Sequence, residues 1–164
     1  MLRRSRLALI ASALTIAATL AAPLAWAGGP PSFAFQRPDT KTKQTAASPV
    51  LIVHAFSCHQ PTDAAVSAHA EGIVKGERRT VALKLQPTGE TGVYNVTRQW
   101  PAEGSWALVF SVDRGGRTTA LVRLDAKGEP TFDSDQVAES SVRTLPREAK
   151  PADIETVLLA KATK

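Results

Sequence analysis

Six runs of residues, at 50–56, 64–74, 78–85, 93–100, 105–113 and 117–125, carry β-branched or aromatic side chains with period-two patterning. That period is the pleat of a β-strand and not the turn of a helix. In 64–74, Val66, Ala68 and Ala70 fall on one face and Ser67, His69 and Glu71 on the other. In 105–113, Trp106, Leu108, Phe110 and Val112 form one apolar row. Turn chemistry separates the runs: Lys75-Gly76-Glu77, the Pro87 to Gly92 stretch, Pro101 to Gly104, and Arg114-Gly115-Gly116. No helical period intervenes, so the crossovers of a parallel sheet are excluded and an all-β, antiparallel sandwich of about seven strands follows.

The flanks differ from this centre. Residues 128–147 are polar with scattered Phe132, Val137, Val142 and Leu145, which allows one edge strand. Pro151 then opens a short helix over 151–161, with Ile154, Val157 and Leu158 at helical spacing and Asp153 and Glu155 where the helix dipole favours acids. At the other end, Arg3, Arg4 and Arg6 precede an uncharged run from Leu7 to Leu20, and Ala25-Trp26-Ala27 supplies small residues before a break. This is the pattern of a secretory signal peptide, cleaved after Ala27, which places the mature chain in the periplasm or outside the cell. An uncleaved segment would be its only membrane tether. Residues 28–49, rich in Pro, Thr, Lys, Gln and Ser, read as a flexible leader to a domain at 50–127, with 128–164 as a C-terminal extension.

Cleavage changes the charge balance. The chain carries 20 Lys+Arg against 15 Asp+Glu, and three of the arginines leave with the signal, so the mature net charge falls from +5 to +2. The remaining basic cluster, Arg78-Arg79 beside Lys75 and Lys84, reads as a solvated strand edge and not as a nucleic-acid surface. With Cys58 the only cysteine, no disulfide within the chain is available and stability must come from the core.

The stretch Pro87-Thr88-Gly89-Glu90-Thr91-Gly92-Val93-Tyr94, followed by Trp100-Pro101-Ala102-Glu103-Gly104-Ser105-Trp106, resembles the exported immunoglobulin-like modules of the FixH and YtkA-like kind and, more distantly, the CopC-like copper-handling sandwiches. The resemblance covers about 50–125 and implies an immunoglobulin-like fold. Copper binders of that kind rely on histidines and methionines near the N-terminus. Here the only methionine is Met1, inside the signal, and 28–49 holds no histidine, which argues against methionine-based copper binding.

His54, Cys58, His59 and His69 are all the histidines and the only cysteine, gathered within sixteen residues. If runs 50–56 and 64–74 pair as an antiparallel hairpin, His54 comes opposite His69, with Cys58 and His59 in the loop above. A thiolate with imidazoles suits copper or zinc. The bland alternative is that the four are incidental. Cys58-His59 lacks the second cysteine of a haem-attachment motif, and neighbours in sequence seldom form a nucleophile–base pair. Trp106 is expected in the core; Trp100, at a strand end beside Pro101, is a candidate partner surface. The residues therefore point first to a non-enzymatic interaction or structural module that engages another cell-envelope protein through a strand edge. A soft-metal binding protein is the second reading.

Overall fold

The computed structural model describes residues 30–39, 48–58 and 60–160; residues 1–27, read above as a signal peptide, and His59 lie outside the described residues. Twelve strands form two antiparallel sheets. The first sheet contains β1 (Ser32–Gln36), β2 (Pro49–Ser57), β3 (Gln60–Pro61), β6 (Gln86–Pro87), β7 (Val93–Thr97), β10 (Phe132–Asp133) and β11 (Gln136–Val137). Its order is β10-β11-β1-β2-β7-β6, with β3 paired to the end of β2. The second contains β4 (Val66–Val74), β5 (Glu77–Ala82), β8 (Ser105–Asp113), β9 (Arg117–Arg123) and β12 (Val142–Leu145), in the order β12-β9-β8-β4-β5. Among the described residues one α-helix, α1 (Pro151–Leu159), follows. The all-β sandwich with a short C-terminal helix is thus the architecture, as the alternating runs imply.

The inner faces meet through the residues the period selects. Leu51, Val53, Val96 and Phe35 from the first sheet pack against Ala70, Trp106, Leu108, Phe110, Ala120 and Val122 from the second. Phe33, Phe35 and Phe110 form a small aromatic cluster, with the Phe35 and Phe110 ring centroids 5.2 Å apart. Trp106 lies directly over Gly72, where any Cβ would collide with its ring and with the Ser105 carbonyl.

Three expectations are corrected. Residues 28–49 are not simply a leader, because Ser32–Gln36 is β1, paired with β2 from Ser32↔Phe56 to Gln36↔Ile52. Phe33 and Phe35 anchor it: two phenylalanines one residue apart share a strand face and bury together. The extension expected at 128–164 holds more than one edge strand, since β10 and β11 extend the first sheet and β12 borders the second. Finally, β2 and β4 do not form a hairpin. They belong to different sheets, because β2 takes β1 and β7 as neighbours while β4 takes β5 and β8.

Helix α1 adds a third layer. Ile154 and Val157 pack on Ala107, Val109, Leu121 and Leu145, the outward residues of the second sheet. Arg147 grips the helix start, donating to both Asp153 oxygens at 2.7 and 3.1 Å, while the Lys150 amide donates to Asp153 Oδ2 at 2.9 Å. At the other end Arg123 donates to the Ala160 carbonyl at 3.0 Å, a cation where the helix dipole is negative.

Candidate functional site

His54 and His69 point away from each other on opposite sides of the sandwich. His54 lies on the outer face of the first sheet, where its Nε2 is 2.9 Å from Gln36 Oε1 and its ring runs parallel to Phe56. His69 lies on the outer face of the second sheet, where its Nε2 is 3.4 Å from Glu71 Oε1. Two packed sheets are separated by about 10 Å, and both imidazoles project outward from that layer, so no single ion reaches both. The separation follows from the loss of the β2–β4 hairpin on which the four-residue cluster depended. Among the described residues, no group of three or more His, Cys, Asp or Glu is placed to hold a metal ion.

Cys58 is exposed at the tip of the tight β2–β3 hairpin, where it takes a left-handed backbone (φ 51°). The base of that hairpin is firmly held. Gly92 approaches so closely that a Cβ there would meet the carbonyls of Ala55 and Thr62, and Arg114 reaches across from the β8–β9 turn to Thr62 Oγ1 at 2.9 Å and Asp63 Oδ1 at 2.7 Å. Trp100 is also placed differently from the expectation of a partner surface. It is 4% exposed, with its indole N–H donating to the Gly128 carbonyl at 2.9 Å. Its position at a strand end suggested exposure, but the 125–130 turn folds over it.

A shallow cleft of about 200 Å³ separates β4 and β8 from the start of α1, lined by His69, Glu71, Ser111 and Glu148 among others. Each polar group there is already engaged. Ser111 Oγ is 3.3 Å from Thr119 Oγ1, Glu71 accepts from Arg78, and Glu148 accepts from Arg117 at 2.9 Å.

The open backbone lies elsewhere, on β5. Lys75 (φ 52°) and Gly76 (φ 84°) form the two-residue turn that favours strand twist, and it closes on the pair Val74↔Glu77. Hydrogen-bonded pairs then alternate along the ladder as Gly72↔Arg79 and Ala70↔Val81, and the Leu83 amide continues the series by donating to the Ala68 carbonyl at 3.0 Å. The N–H and C=O groups of Arg78, Thr80 and Ala82 consequently point away from β4. Among the described residues, no strand pairs with β5 on that side. The opening ends at Lys84, whose amide donates to Gln99 Oε1 at 2.9 Å and whose carbonyl accepts from Gln99 Nε2 at 3.1 Å. Gln99 thus stands in for a neighbouring strand at one end, and the turn closes the other.

Three of the four basic side chains along this edge have an acidic neighbour. Arg78 donates twice to Glu71 Oε2, Arg79 lies 3.5 Å from Glu77, and Lys75 lies 3.7 Å from Glu103. The edge character of 78–85 is visible in sequence. Its polarity of backbone direction is not, although the Lys75-Gly76 turn holds the signal, since a two-residue turn dictates which residues face the partner strand.

No protein-family model, no curated protein and no solved structure matches the chain.

Proposed function

We propose that this protein is a non-enzymatic interaction or structural module of the cell envelope that takes an extended segment of another chain onto β5. The observation that carries this reading is the row of outward backbone groups at Arg78, Thr80 and Ala82, bounded by the Lys75-Gly76 turn and by the Gln99 cap. An added strand gains main-chain hydrogen bonds from such a row, and its alternate side chains read the flanking surface. Matched ion pairs at Glu71–Arg78 and Glu77–Arg79 support it, because an edge that carries net unpaired charge repels an incoming strand. Export by the N-terminal signal brings the module to its compartment.

A photo-crosslinking residue in place of Thr80, in cells that export the protein, tests the reading. Covalent capture at position 80, lost when Ala82→Pro removes one outward N–H from the edge, is the expected result. Absence of any adduct at position 80, with the protein folded and exported, overturns it.

A further inference from the structure

The free edge of β5 is self-complementary, and we infer that a second copy of this chain pairs with it antiparallel about a two-fold axis at Thr80. The inference rests on the reading of β5 as a pairing edge and names its occupant. Three outward residues at alternate positions, Arg78, Thr80 and Ala82, allow only a few antiparallel registers with another such row. Centring on Thr80 sets Thr80 opposite its own copy and Arg78 opposite Ala82 twice over, so all three residues on each chain exchange both N–H···O bonds. Centring on Arg79 or Val81 leaves one outward residue of each chain beyond its partner's open row. The Arg79 register also sets two arginines face to face, a like-charge pair that destabilises a sheet. Shifting the other way runs into Lys84, whose backbone Gln99 already satisfies.

Side chains favour the same register. Cross-strand threonine pairs are stabilising, and two Thr80 hydroxyls meet on the axis. Arg79 falls beside the partly buried Val81 of the other copy, where its methylene stem covers apolar surface. The guanidinium of Arg78, held by Glu71 of its own sheet, sits opposite the small Ala82 and meets no like charge directly. The pairing joins two five-stranded sheets into one continuous sheet and removes the longer open edge of each.

The test uses single-cysteine variants of the full chain in a Cys58→Ser background, with diamide as oxidant, together with sedimentation of the unmodified protein at increasing concentration. Opposed Cα atoms of a hydrogen-bonded antiparallel pair are about 5.5 Å apart, within disulfide reach. Thr80→Cys is expected to give a disulfide-linked dimer. Ala82→Cys alone is not, because its own copy lies four residues further along, about 13 Å away. Mixing Ala82→Cys with Arg78→Cys is expected to restore the linked dimer. Sedimentation is expected to shift from monomer towards twice the mass, and Thr80→Pro to abolish the shift. A protein that stays monomeric at every concentration and shows no Thr80→Cys linkage overturns the dimer. Should position 80 still capture a different envelope protein in cells, the edge reading stands without it; should it capture nothing, both fall.

Discussion

β2 and β8 are both nine-residue strands in the interior of their sheets, yet they bury their side chains on different periods. β2 buries only Leu51, Val53 and Ala55, with Ile52, His54 and Phe56 between them half-buried. β8 buries every residue from Trp106 to Phe110. The cause is the number of covers. β2 faces the sandwich on one side, with no described element packed on its other face, while β8 is pressed between the sandwich core and α1, so its odd positions Ala107 and Val109 are as buried as its even ones. A strand covered twice reads as a continuous apolar run, and one covered once alternates.

That contrast can be broken most severely at the shared layer. Phe110→Ala removes a fully buried ring in contact with Phe33 and Phe35, and is expected to cost about 3–5 kcal/mol of stability, measured by denaturant unfolding followed on the buried tryptophans. The second cover is tested by Ile154→Ala, which truncates the 4% exposed anchor of α1. A loss of about 2–3 kcal/mol, accompanied by faster amide exchange in α1 than in β2, is the expected outcome. Equal exchange in both would mean that the helix is not a separable layer.

The helix latch gives a pH test of smaller effect. The Arg147 guanidinium, the Lys150 amide and the more distant Arg143 hold the Asp153 carboxyl well below the usual carboxylate range. The folded state therefore takes up this proton later than the unfolded chain does. The stabilisation is complete above the ordinary aspartate value of about 4 and is lost as pH falls from there through the lower folded value. Asp153→Asn is expected to lower the melting temperature at neutral pH and to flatten its fall in acid. An unchanged acid profile would assign that fall to other carboxyls. The smallest effect belongs to the uncovered face: Phe56→Ala, outward on β2, is expected to change stability by less than about 1 kcal/mol, and a larger cost would reveal a cover on that face.

The longer central strands were legible to within a few residues because period-two patterning and β-branched content report the local pleat, even in β8, where both faces are buried. Run 105–113 coincides with β8, and runs 50–56 and 117–125 with β2 and β9 to within two residues at each end. The helix was legible from Pro151, Asp153 and the spacing of Ile154 and Val157. β1 escaped because five residues with two phenylalanines sit among prolines, and a short apolar pair does not announce a strand until a neighbour supplies its hydrogen bonds. The histidine cluster misled for a related reason: His54 and His69 are near in sequence, but the chain crosses between sheets in the 62–65 segment, and that crossing reverses the side on which each ring emerges.

By itself the sequence determined where the longer central strands, the C-terminal helix and the tight turns fall, since pleat and left-handed turn positions are properties of a few adjacent residues. Tertiary structure alone decided which strands are neighbours, that β8 is covered on both faces, that Trp100 is buried under the 125–130 turn, and that β5 has no second neighbour among the described strands. Those outcomes depend on pairings between residues far apart in the chain. The period of a strand tells which way its side chains point but is silent on what lies across the hydrogen bonds.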